Sequence, residues 1–155
     1  MNTVDLGSEL LRVVNSAEEI LRRVSAEESS APILAGGWSR RQVMGHLIDS
    51  ASNNHQRFVR ASLADSLEFP GYEQNDWARV QAAEQADWPL LVALWANYNR
   101  YIAHVLARLP LAKLEVPVRI GQGEPVTLKF LAEDYLRHLV HHIGQIDAVA
   151  VDGGF

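Results

Sequence analysis

The stretch Tyr135–Ile146, Tyr-Leu-Arg-His-Leu-Val-His-His-Ile-Gly-Gln-Ile, sets the terms on which this chain can fold. Apolar residues in and around it (Phe130, Leu131, Tyr135, Leu139, Val140, Ile143, Ile146, Val149) recur every three or four positions, the period of an amphipathic helix. His138 and His142 are four residues apart, so on a helix they lie one turn apart on the same side. Asp134 and Gln145 extend their line, and a narrow polar seam therefore runs along a largely apolar helix. Such a seam demands partners, because a buried polar group without a hydrogen bond or a metal is costly. A divalent cation held by imidazole nitrogens is one such partner.

A second segment carries a matching seam. Ser39, with Gln42 three residues on, is a capping-box pattern that starts a helix over roughly 40–64. Val43, Leu47, Ile48, Ala51, Phe58 and Leu63 give it an apolar side, while His46, Asp49, Ser50, Asn53 and Arg57 form a polar line. If the two seams face each other, His46 joins His138 and His142 in one site.

The rest of the chain supplies two more helices. Asn2 or Thr3 caps a first helix expected to run to about Glu28, with a stripe through Val4, Leu6, Leu10, Leu11, Val14, Ile20, Leu21 and Val24. Ser29–Pro32 and Gly36-Gly37 then break the pattern. Residues 65–86 read as a long connection, with a turn at Pro70-Gly71 and a short helical piece from Asn75 to Glu84. Its aromatics, Phe69, Tyr72 and Trp77, favour packing onto the bundle. Asp87, with Pro89 just after it, starts a third long helix to about Arg108. Val116–Ile120 and Gly121–Val126 suggest a loose hairpin, which Pro117 and Pro125 restrict to edge-like pairing. Thr127 caps the fourth helix. Four long amphipathic segments with modest connections imply an all-α protein, a four-helix bundle forming a single domain over 1–155.

Composition narrows the function. The net charge of −5, with no basic cluster longer than Arg22-Arg23 or Arg40-Arg41, argues against nucleic acid as a partner. The chain has no cysteine, so disulfides and thiolate metal sites are excluded, and a thiol could enter only as a substrate. The N-terminal residues show no signal-peptide pattern, and no apolar run approaches the ~20 residues of a membrane span. A cytoplasmic location without membrane contact is the expectation.

Gly45-His46-Leu-Ile-Asp-Ser in one helix and His138-Leu-Val-His-His142-Ile-Gly-Gln-Ile in the last resemble the DinB-like superfamily of four-helix metal proteins. The resemblance extends to Trp38 at the start of the second helix, to Asn53-Asn54-His-Gln-Arg57-Phe and to Gly71-Tyr-Glu-Gln-Asn-Asp-Trp77. It implies one divalent metal ion, zinc or nickel first and iron next, held by His46, His138 and His142. It also implies a small-molecule substrate, with a low-molecular-weight thiol as a candidate, because relatives include bacillithiol S-transferases and mycothiol-dependent isomerases. The expected activity is thus that of a thiol-dependent S-transferase-like or hydrolase-like enzyme. The alternative is a helical module in which the ion is structural.

Other residues divide by position. His141 competes for ligation but sits about 60° from the centre of the seam, which suits a rim. His55 lies nine residues beyond His46, on the opposite side of its helix, and with His104 reads as surface or structural. Asp49, Asn53 and Gln145 are candidates to orient ligating imidazoles, and Asp49 is the acid best placed to close the metal's fourth position. Arg57 offers a partner for a substrate carboxylate, against the plainer reading of a solvated arginine at a helix end. Trp38, Trp77, Trp88 and Trp95 read as packing residues, with Trp77 allowed a part in lining a pocket. The Glu-x-x-His pairs of di-iron bundles, His-Glu-x-x-His, the P-loop and Gly-x-Ser-x-Gly are all absent. Apolar residues on more than one side of the first helix, Val13 and Val14 among them, suggest a homodimer.

Overall fold

A computed structural model describes residues 1–34 and 37–150, with side chains through Ile146. Gly36 and the side chain of Val149, both used above, fall outside the described residues. The four long helices are α1 (Thr3–Arg22), α3 (Arg40–Ser62), α5 (Trp88–Leu106) and α6 (Leu128–Ala150). Two shorter ones, α2 (Ala26–Ser30) and α4 (Gln74–Gln81), lie in the connections.

The starts of the helices follow their caps. Asn2 accepts from the Asp5 amide, Ser39 and Gln42 form a reciprocal capping box, Asp87 accepts from the Leu90 amide and Thr127 from the Phe130 amide. The first helix does not continue to Glu28. It stops at Arg22, and a second capping box, Ser25 with Glu28, opens α2 after a short break. The cap satisfies backbone donors locally, so the chain can turn without leaving them unpaired.

Each long helix touches two others. α1 packs on α5 and α6, and α3 packs on the same two, which places α1 diagonally across from α3. Side-chain pairings give the directions. Gly7 lies against Ala103 while Leu21 accepts from the Trp88 indole, so α1 and α5 are antiparallel. Gly45 approaches Ala83, just before α5, and His55 meets Tyr98, so α3 and α5 are parallel neighbours. His46 meets His142 and Phe58 meets Tyr135, so α3 and α6 are antiparallel. Parallel neighbours cannot be joined by a tight turn, and the segment 63–87 is the return path.

That path adds a strand. β1 (Leu67–Phe69) pairs in parallel with β2 (Pro117–Ile120), which pairs antiparallel with β3 (Val126–Thr127). The hairpin forms as expected, but β2 is the central strand of three. Pro117 is accommodated because it occupies the first position of β2, where a missing N–H costs least. Gly121 turns the hairpin at φ +57°, a conformation that suits glycine. The short piece expected over 75–84 is α4 and one 3₁₀ turn, Ala83–Gln85. The core runs the length of the bundle through Leu10, Val14, Leu21, Met44, Phe58, Trp95, Ile102, Leu128, Leu139 and Ile146.

Candidate metal centre

His46, His138 and His142 all line one cleft of about 250 Å³ between α3 and α6. The His46 and His142 rings meet edge to face with centroids 4.9 Å apart, and His138 stands 6.2 Å from His142. The antiparallel pairing of the helices brings these positions together across 92 residues of chain. His46 is buried, with Trp38 packed 5.7 Å from its ring, and His142 is half-buried, whereas His138 is exposed. As the side chains stand, no three His, Asp or Glu residues among those described are drawn together tightly enough to grip an ion.

The chemistry of the donor set nevertheless suits a cation. His46 Nδ1 is buried and has no hydrogen-bond partner among the described residues, an arrangement that is costly unless something else engages the ring. Burial, reinforced by the neighbouring His142 and His138, pulls the His46 pKa down to about 4, so the ring is neutral at ordinary pH. The His142 pKa is lowered chiefly by burial, with the Gln145 bond opposing. Gln145 Oε1 accepts from His142 Nδ1 at 3.0 Å, which leaves the Nε2 lone pair available. Gln145 thus holds the His142 ring by a hydrogen bond, and it also reaches His141, which stays on the exposed rim.

Other expectations require correction. Asp49 does not close the cleft: both its oxygens accept from Gln81 Nε2 on α4, at 3.1 and 3.0 Å. Asn53 bonds back to the Asp49 carbonyl, and the next residue, Asn54, takes the place in the cleft instead. The row His46, Ser50, Asn54, Arg57, at spacings of four, four and three, was the better reading of the same helix. Trp77 packs on Tyr72 and lines a separate hollow with Asp76, Val80 and Gln81, so Tyr72 is the aromatic that this connection contributes to the cleft. Arg57 is not solvated at a helix end; it is buried within the cleft wall, its guanidinium 5.3 Å from the Phe69 ring centroid. Tyr72 was expected to pack on the bundle, but its place in the cleft, like that of Gln74, is not written in the sequence, for no pattern in a loop announces where it folds back. His55 is structural, bonded to the Tyr98 hydroxyl at 2.8 Å, and exposed His104 stacks on Tyr101.

Helix order, bundle and small sheet together define a four-helix bundle with a crossover connection. The chain belongs to the DinB superfamily, whose family model matches residues 9–146. A protein of Bacillus licheniformis, provisionally named a metal-dependent hydrolase, is 31% identical over 87% of this chain and 80% of its own. A similarly named protein of Bacillus mycoides is 26% identical over 94% of this chain and 79% of its own. Among solved structures, YfiT from Bacillus subtilis superposes with a TM-score of 0.81, covering 96% of this chain and 88% of that one at 22% identity. YfiT is described as a probable metal-dependent hydrolase with an unusual four-helix bundle topology. No helix among the described residues is long and apolar enough to cross a membrane.

Proposed function

We propose that this chain is a metal-dependent enzyme of hydrolytic type, with one divalent ion held by His46, His138 and His142. The observation that carries the reading is the meeting of three imidazoles on one cleft, the most buried of them with an unpartnered nitrogen. Ligation by all three requires the His138 ring to turn toward the others, which its exposed position permits. Zinc or nickel suits such a nitrogen set first, and iron next.

The bound ion would supply Lewis acidity, lowering the pKa of a water and polarising a substrate oxygen. The chain's own groups do the rest. Gln145 fixes the His142 tautomer, and the walls of the cleft keep His46 neutral and ready to ligate. Burial, helped by the Asp49 carboxylate, raises the Tyr72 pKa, so its hydroxyl stays protonated and can donate to a substrate oxygen. The small volume favours a small-molecule substrate. With Asp49 engaged by Gln81, the nearest acid on α3 does not fill a fourth position, which favours a centre open to substrate over a structural one.

Transfer of a low-molecular-weight thiol uses the same open positions and is the second reading; the lack of cysteine means any thiol there belongs to substrate. Pairing of two chains remains part of the proposal, although Val14 lies in the core and Val13 packs against it. A shared face would fall to exposed residues of α1 such as Val4 and Leu11, and light scattering at micromolar concentration measures the outcome.

Metal analysis of purified protein tests the centre. About one ion per chain is expected, with severe loss on replacing His46, His138 or His142 by Ala and none for His55→Ala or His104→Ala. Equal loss in all five variants would remove the assignment. In cobalt-loaded protein, azide or an added thiol should alter the visible absorption. A spectrum fixed under saturating amounts of both would favour a structural ion.

A further inference from the structure

Arg57 is the least satisfied charged group in the cleft. Only 7% of the residue is exposed, and no salt bridge includes it among the described residues. Its guanidinium has two long contacts, Nη1 to Asn54 Oδ1 at 3.4 Å and Nη2 to the Pro70 carbonyl at 3.5 Å, while Nε has none. A buried cation of this kind is costly unless paired. The other buried arginine of α3, Arg40, also has an unpartnered Nε, but its Nη1 donates to the Glu28 carbonyl at the end of α2, and it lines no cleft with the histidines. Arg57 faces the same cleft as the three histidines.

We infer that Arg57 binds a carboxylate of the substrate, so that the enzyme acts on small monoanionic molecules whose reacting bond lies several atoms from the acid group. This assignment rests on the proposed metal centre for its second half only. Arg57 follows His46 by eleven residues, three helical turns, so both point to one side of α3 about 16 Å apart along the axis. Helical side chains lean toward the N-terminus, His46 as well as Arg57, so only the greater length of the arginine shortens that span. The unpartnered Nε–H and an adjacent Nη–H form the fork that a planar carboxylate accepts. Phosphate is the poorer match. A dianion needs more positive charge than one guanidinium, and the other charged residue lining the cleft is Asp134, already paired with Arg137 at 3.0 Å. Tyr72 lines the same cleft and offers a hydroxyl donor for the second carboxylate oxygen.

The test uses hexanoate and its neutral isostere hexanamide, titrated into metal-loaded and metal-stripped protein. The readouts are calorimetry and the ¹⁵N resonance of Arg57 Nε. Hexanoate should bind in both forms and shift the Nε–H signal, and hexanamide should do neither. Arg57→Gln should weaken hexanoate binding at least tenfold, and Arg57→Lys, which keeps the charge and loses the fork, by a smaller factor, with metal content unchanged in both. Equal binding of acid and amide, an unmoved Nε signal, or undiminished affinity in a folded Arg57→Gln protein would overturn the proposal. Should that variant fail to fold, the wild-type Nε signal decides alone. Carboxylate binding by a protein that takes up no metal would leave Arg57's role standing and remove the metal centre.

Discussion

The α1–α5 pair and the α3–α6 pair are both antiparallel and belong to the same bundle, yet one is closed and the other open. Gly7 lets α1 approach so near that a Cβ there would come 2.6 Å from the Ala103 carbonyl oxygen and 3.0 Å from Ala107 Cβ. Leu10, Val14, Ala17 and Leu21 continue the contact, the Trp88 indole donates to the Leu21 carbonyl at 3.1 Å, and Glu18 pairs with Arg100. Between α3 and α6 an aromatic contact, Phe58 with Tyr135 at 5.7 Å, adjoins a cleft lined by histidines, Asn54 and Arg57. Small residues let helices close; polar ones at matching positions keep them apart. The bundle thus draws stability from one side and leaves room for chemistry on the other.

The sharpest way to break this contrast is Gly7→Leu. Leucine favours helix over glycine by roughly 0.8 kcal/mol, but the obstacle is backbone and cannot swing aside. A net loss of about 3 kcal/mol, the upper end for overpacking, is expected in urea unfolding. Metal bound per folded molecule should not change. Unaltered stability would mean that the closed pair is not closed.

His46→Ala should have a smaller effect on the metal-free protein. It leaves a cavity, which destabilises, but it also removes a buried unpartnered nitrogen, which stabilises by a similar amount, so a net change within about 1 kcal/mol is expected. A loss like that of Gly7→Leu would show that the ring is core packing rather than part of a site.

The smallest effects concern acid, and the two sides should respond with opposite sign. Burial works to raise the Glu18 pKa, but hydrogen bonds from Arg100 and Arg22 outweigh it and hold the pKa below 4.5. Its contribution is complete above that value and is lost as pH falls through the lower folded pKa. Asp49 is raised above 3.8 by burial, with Gln81 opposing, so its ionisation costs stability as pH rises through the window above 3.8. Glu18→Gln should therefore flatten the acid-side loss, while Asp49→Asn should raise stability at neutral pH and not below pH 3.8. The Glu18 change should be a few tenths of a kcal/mol to about 1, the scale of partly exposed pairs, and the Asp49 change is expected to be of similar size, about 1 kcal/mol, because Gln81 offsets its burial. Thermal melts from pH 3 to 7 would measure both, and a gain for Glu18→Gln at pH 7 would contradict the ion pair.

What the sequence made legible was whatever local geometry decides. The capping box at Ser39, the cap at Thr127 and the one-turn spacing of His138 and His142 needed no knowledge of the rest of the fold. The end of α1 was equally local, since Ser25 and Glu28 form a capping box in plain view, but the continuing apolar stripe through Val24 concealed it. β1 was hidden for another reason: a three-residue strand has no measurable period, and its pairing with β2 depends on residues 51 positions away. The burial of Arg57 was beyond local reading too. Phe69 and the Pro70 carbonyl cover it, and nothing in their own sequence tells which helix they fold against.

The crossover made necessary by parallel α3 and α5 has a consequence for how such a protein can be altered. The histidines stand on α3 and α6, whereas Phe69 and Pro70, which cover Arg57, and Tyr72 and Gln74, which wall the cleft, come from the returning segment. Part of the cleft wall is thus written on a stretch of polypeptide apart from the helices that carry the histidines and Arg57. Residues 66–76 can be exchanged or redesigned as a cassette without touching a proposed ligand, which makes this return path the natural place to reshape the cleft.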